Sequence, residues 1–166
     1  MTSQPHWYPV YTNPRAEKAT FSLLQKKGIT AYLPLQRILK QWSDRKKWVE
    51  EPLIKSYLFV KIYPEQQAEV LMTKGVARFI YFSGKIASIP EKQIEMVKQW
   101  LSSGLAVEVS NDKFSKGQDI EIIAGPLKGL KGELVDFQNE KRLILKIDSI
   151  GQTLLIQIPN NAVRII

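Results

Sequence analysis

The sequence predicts an α+β chain, a unit of mixed helices and strands followed by a small all-β unit. Two observations carry this. Up to about residue 104, helical and strand patterns alternate; from Gly117 onward there are only short strands with turns between them, the pattern of a small barrel. Charge divides at the same place: residues 1–104 hold 16 Lys/Arg and 8 Asp/Glu, a net of +8, whereas residues 105–166 hold 8 of each. Such asymmetry implies two units with different partners, the first an anionic one, with nucleic acid favoured.

The elements follow in order. Trp7-Tyr8-Pro9-Val10-Tyr11 reads as a first strand. Asn13 suits a helix N-cap, Pro14 the first helical position and Gly28 the stop, and Ala16, Ala19, Leu23 and Leu24 fall at helical spacing. A helix over 14–27 is expected. Thr30 to Leu39 and Lys47 to Leu53 read as two long strands, and Ser56 to Ile62 as a strand rich in β-branched and aromatic residues. A short helix over Pro64 to Thr73 ends at Gly75, and Val76 to Phe82 forms another strand. Pro90 to Leu101 reads as a third helix with Ile94, Val97 and Leu101 on one face. The expected division is a first domain over 1–104, a polar linker over 105–112 and a second domain over 113–166. In the second, Leu143, Leu145 and Ile147 alternate with Ile144 and Lys146, and Leu154, Ile156 and Ile158 alternate with Leu155 and Gln157.

Several function classes are excluded. Cysteine is absent and His6 is the one histidine, so disulfides, thiolate metal sites and a multi-histidine metal site have no ligands. No metal or cofactor is expected. Glu50 and Glu51 are adjacent on a strand and point to opposite faces, the wrong arrangement for paired acid–base work. The Gly-rich segment at 125–132 lacks the Gly-Lys-Ser/Thr and following helix of a P-loop. An enzyme is therefore not expected. No apolar run reaches the ~18 residues of a membrane span and no secretory leader is visible, so a cytoplasmic protein without a membrane partner is expected.

Two segments point to binding. Arg37, Lys40, Arg45, Lys46 and Lys47 cluster around one hairpin tip, flanked by Trp42 and Trp48. Lysine and arginine neutralise phosphates, and aromatic faces stack on unpaired bases; the competing reading is a solvated charged hairpin. Residues 125–132 read Gly-Pro-Leu-Lys-Gly-Leu-Lys-Gly. A loop that presents Leu127 and Leu130 beside Lys128 and Lys131 fits a protein partner with a mixed apolar and acidic face. The competing reading is that the leucines plug the end of the barrel.

Trp7-Tyr8, the run Pro52-Leu53-Ile54-Lys55-Ser56-Tyr57-Leu58-Phe59-Val60, Gly75-Val76-Ala77-Arg78-Phe79 and the segment Ile122 to Gly132 occur in the order seen in one family. The chain resembles the NusG family of transcription elongation factors, and more closely its specialised RfaH-like antiterminator branch, over roughly residues 7–166. The resemblance implies an N-terminal α/β sandwich with a mostly antiparallel four-stranded sheet and flanking helices, then a small five-stranded KOW barrel. It implies that Tyr8, Ile54, Tyr57, Leu71 and Phe79 bind the clamp helices of the RNA polymerase largest subunit; read without it, these residues are core. It adds Thr73, Lys74 and Lys26 to the nucleic-acid contacts, which would be upstream or non-template DNA. A small-subunit ribosomal protein or a termination factor is the implied partner of the KOW unit. Lys55-Ser56 stands where general members carry Pro-Gly, and Gln66-Gln67-Ala68-Glu69 where the RfaH branch is rich in His and Thr; Thr73-Lys74 matches that branch's Thr-Arg pair. The expected function is an operon-specific antiterminator. The alternatives are a general elongation factor and a KOW-type ribosome-associated RNA-binding protein.

Overall fold

The computed structural model describes residues 4–166. The chain divides into one unit ending at Glu91 and a second running Lys92–Ile166.

The first unit is built on four antiparallel strands in the order β2-β5-β1-β6: β1 (His6–Thr12), β2 (Thr30–Tyr32), β5 (Tyr57–Ile62) and β6 (Val76–Phe79). Register sets the faces, since residues opposite each other share a side. Val10 lies opposite Leu58 and Phe79, and Tyr8 opposite Val60. This side joins Leu24 of α1 (Glu17–Lys26) and Val70 of α2 (Gln67–Leu71) in one buried cluster. The other side carries Trp7, Pro9 and Phe59, also buried.

The start of α1 differs from expectation. Asn13 and Pro14 lie in the turn before the helix, because Arg15 takes φ 62 and breaks the helical run. Ala16 caps α1 without a side-chain bond. Glu17 is buried and its carboxylate accepts the Ser56 backbone N–H at 2.9 Å. Ser56 itself has φ 66, the region where glycine sits without strain. Ser56→Gly is expected to relieve about 1–2 kcal/mol of left-handed strain against about 0.5–1 of added unfolded-chain freedom. Chemical denaturation is expected to show a net gain of up to about 1 kcal/mol.

The two long strands after α1 are also reshaped. Leu33-Pro34 interrupts the first, so Thr30–Tyr32 joins the sheet while β3 (Leu35–Gln41) leaves it to pair with β4 (Lys46–Pro52) as a separate hairpin. Proline lacks the N–H that a sheet interior needs. The strand expected over 76–82 likewise ends at Phe79; β7 (Tyr81–Phe82) pairs with β8 (Lys85–Ile86) in a small hairpin of its own.

In the second unit, α3 (Glu91–Ser102) buries Ile94, Val97 and Trp100, so Trp100 rather than Leu101 completes its apolar face. The expected domain division put this helix with the first unit; here all of it after Glu91 groups with the second. The sheet is six-stranded and antiparallel, in the order β14-β10-β11-β12-β13-β9. Its members are β9 (Val107–Ser110), β10 (Gln118–Ile122), β11 (Lys131–Phe137), β12 (Glu140–Ile147), β13 (Gln152–Gln157) and β14 (Val163–Ile165). β11 and β12 meet at Gln138-Asn139, both at positive φ, the geometry whose twist matches a two-residue hairpin. The sixth strand comes from the stretch read as a linker: Val107 is buried where a solvated tether was expected.

Candidate nucleic-acid interface

The β3–β4 hairpin gathers all five basic residues read from the sequence. Its register runs from Leu35 opposite Pro52 to Gln41 opposite Lys46, and the Trp42–Arg45 turn closes with a 2.7 Å bond from the Trp42 N–H to the Arg45 carbonyl. Every residue from 40 to 48 is exposed. The period-2 alternation of strands puts Arg37, Leu39, Lys46 and Trp48 on one side and Ile38, Lys40, Lys47 and Val49 on the other. Ile38 and Val49 are half-buried, so theirs is the inner side.

The outer side is unusual for a solvated hairpin. Leu39 and Trp48 face each other across the ladder and are 45% and 54% exposed. The Arg37 guanidinium lies 5.0 Å from the Trp48 ring centre. At the tip, Arg45 lies 5.8 Å and Lys47 5.5 Å from the Trp42 ring, which is 43% exposed. Each tryptophan thus offers a π-face already flanked by cations, the pairing that single-stranded nucleic acid requires: charge for the phosphate and a flat surface for the base. Lys40 pairs with Glu51; among the described residues, Arg37, Arg45, Lys46 and Lys47 form no ion pair. The hairpin is therefore cationic and apolar at once.

The other three nucleic-acid candidates separate. Lys74 is exposed. Thr73 is 3% exposed; its hydroxyl donates to the Glu69 carbonyl at 2.9 Å and accepts from Lys27 Nζ at 2.9 Å. It ties the end of α2 to α1 and offers nothing to a strand outside. Lys26 is exposed in the last turn of α1.

The five apolar candidates do not form one patch. Phe79 and Ile54 are each 1% exposed and belong to the interior. Tyr8 packs edge-on against Phe79 at 6.3 Å on the helix-covered side. Leu71 is exposed at the end of α2. Tyr57 lies on the opposite side of the sheet, half-buried, edge-on to Tyr11 at 5.4 Å. Tyr11 in turn carries the exposed Arg78 at 5.2 Å over its ring. Burial and then the neighbouring Tyr11 push the Tyr57 phenol above its ordinary value, with Arg78 pulling the other way; the ring stays neutral at physiological pH. Sequence reasoning missed Tyr11 and Arg78. The alternation Trp7, Pro9, Tyr11 puts Tyr11 on this side opposite Tyr57, and Arg78 joins it only through the pairing of β6 with β1.

The Gly-rich loop corrects an expectation. Leu127 is 7% exposed and Leu130 half-buried, so the loop does not present two leucines. Gly129, at φ 93, lets its N–H reach the Ile122 carbonyl at 2.7 Å, which folds the loop back on its own strand. Lys128 and Lys131 remain exposed. Lys128 borders a groove of about 460 Å³ between this loop and Gln99, Ser102 and Ser103 of the same unit.

No group of His, Cys, Asp or Glu among the described residues could hold a metal ion. No helix among them is long and apolar enough to cross a membrane.

A family model described as "Transcription termination factor nusG" matches residues 5–98. Among solved structures, NusG of Thermotoga maritima, in a study of its domain interaction, matches with 18% identity and a TM-score of 0.55, covering 98% of this chain and 97% of that one. This likeness is one of fold. Chains of the MjSpt4:Spt5 complex in conformations A and B match with 19% and 20% identity over 96% of this chain and 97% and 96% of theirs. Their TM-scores of 0.27 and 0.26 carry no structural equivalence.

Proposed function

The chain belongs to the NusG family, and from that premise we propose that it is a non-enzymatic, cytoplasmic transcription factor. It rides on RNA polymerase and holds a nucleic-acid strand of the elongation complex with its β3–β4 hairpin. The observation that carries the second part is the pair of exposed, cation-flanked tryptophans on this hairpin. Burying large aromatics is normally favourable, so two left in solvent beside arginine and lysine fit a ligand with both bases and phosphates.

The polymerase contact is proposed on the side of Tyr57, Tyr11 and Arg78, with Tyr57 as the anchor. In the second unit, Lys128 and Lys131 fit an acidic partner, of which a ribosomal protein and a termination factor are the two candidates. The family accommodates both a general elongation factor and one dedicated to particular operons. Sequencing nascent transcripts with and without the gene separates the two: a few affected operons support dedication, a genome-wide shift the general role.

The hairpin is tested by replacing Arg45, Lys46 and Lys47 together with alanine and titrating salt against binding to an elongation complex. Each lost contact to a single strand removes ~0.7 from the logarithmic salt slope, so the slope is expected to fall by about 2. An unchanged slope removes the hairpin from the nucleic-acid interface.

A further inference from the structure

β9 is a four-residue edge strand on a position that needs covering. It pairs antiparallel with β13, Val107 opposite Ile156, Glu108 opposite Leu155, Val109 opposite Leu154 and Ser110 opposite Thr153. Residues 103–106 before it and 111–117 after it have no regular structure. Of its four residues only Val107 is fully buried; Val109 and Ser110 are half-buried and Glu108 is exposed. The strand beneath is the reverse. Thr153, Leu154, Leu155 and Ile156 are 5%, 0%, 1% and 0% exposed. Without β9 they would form a bare apolar edge with a row of unpaired backbone groups, the feature that templates strand addition.

Charge sets the register of this cover. Arg142 on β12 has a side chain only 5% exposed, with Nη1 at 3.0 Å from Glu108 and Nη2 at 3.0 Å from Glu140. Its guanidinium also lies 5.7 Å from the Phe137 ring centre. The two carboxylates differ in origin: Glu140 belongs to the same strand as Arg142, whereas Glu108 arrives with β9. When β9 leaves, Arg142 keeps Glu140 and the ring, so opening leaves no bare buried charge of the kind that makes most broken ion pairs expensive.

We infer that β9 is a removable clasp over the edge of β13. The edge it covers accepts an extended strand of the same apolar–acidic–apolar pattern, with its carboxylate on Arg142. The backbone ladder supplies affinity, and the Val107 pocket with Arg142 supplies selectivity. In the resting chain the clasp occupies this site in cis.

The test uses the full chain and residue-resolved amide exchange. Glu108→Lys sets a cation against Arg142, and Val107→Asp removes the apolar anchor while leaving Arg142 unchanged. In both variants the β13 amides directed at β9 are expected to exchange at least about tenfold faster, while those paired with β12 keep their protection. A synthetic peptide Leu-Ala-Val-Glu-Val-Ser-Asn-Asp, the sequence of residues 105–112, is expected to restore protection to the Val107→Asp variant; the same peptide with lysine for glutamate is not. Unchanged exchange in both variants overturns the clasp. Loss of protection through β12 and β13 together overturns it too, because β9 would then be integral to the sheet. An exposed edge that the peptide leaves unprotected overturns the strand-accepting site.

Discussion

Gly75→Ala is expected to destabilise the first unit by about 3 kcal/mol. Gly75 follows α2 at φ 93, and a Cβ there would lie 2.0 Å from Thr20 Oγ1, 3.3 Å from Thr20 Cβ and 3.4 Å from Ala16 Cβ. Thr20 is fully buried in α1 and cannot move aside; its hydroxyl donates to the Lys74 carbonyl at 3.3 Å. The Gly75 carbonyl accepts the Asn13 N–H at 2.9 Å. The residue therefore fastens the turn between α2 and β6 to α1 and to the end of β1. Left-handed strain of about 1–2 kcal/mol adds to an overpacking cost of about 1–3. Gly28→Ala is the control: φ is 79, but no atom lies within 4 Å of its Cβ, so only the strain is expected. Equal losses in the two variants, measured by urea denaturation, would show that the Thr20 contact relaxes freely.

Tyr57→Ala is expected to weaken polymerase binding about thirtyfold, or ~2 kcal/mol, while leaving the fold intact. Its neighbours in sequence, Leu58 and Phe59, hold the core and are 0% exposed. Tyr57 is only half-buried against Tyr11, a contact worth about 0.5–1.5 kcal/mol. Phe79→Ala makes the contrast. Phe79 sits in the cluster with Val10, Leu24 and Val70, and its truncation is expected to cost about 3–5 kcal/mol of stability. A folded Tyr57→Ala protein that binds polymerase as the parent does takes the anchor role from this residue.

The parts of the fold legible in the sequence are those decided by local chemistry. Gly28 after α1 and the alternation of Leu143, Leu145 and Ile147 needed only neighbours along the chain. What the sequence left open depends on distant partners. The β propensity of residues 30–39 is continuous, yet Pro34 divides it between two sheets, and only pairing with β5 and β4 shows which half goes where. Val107 looked like part of a polar linker because the edge it covers lies some fifty residues on. The site was legible in the same uneven way. A run of basic residues with two tryptophans reads directly as a hairpin tip. Read from the residues alone, Tyr8, Ile54 and Phe79 are core, and Ile54 and Phe79 are each 1% exposed; only the resemblance placed them on a binding surface. Leu127 misled for a different reason: Gly129 turns the loop inward, a backbone choice that composition does not display.

The central claim is that the β3–β4 hairpin touches nucleic acid while the protein sits on polymerase. It is tested most directly by placing a photocrosslinking amino acid at position 42 and irradiating an assembled elongation complex that carries labelled DNA and RNA. The account predicts crosslinks to a nucleic-acid strand, and their loss when Arg45, Lys46 and Lys47 are alanine. Crosslinks from position 42 to polymerase subunits alone, with the factor bound and active, would contradict it.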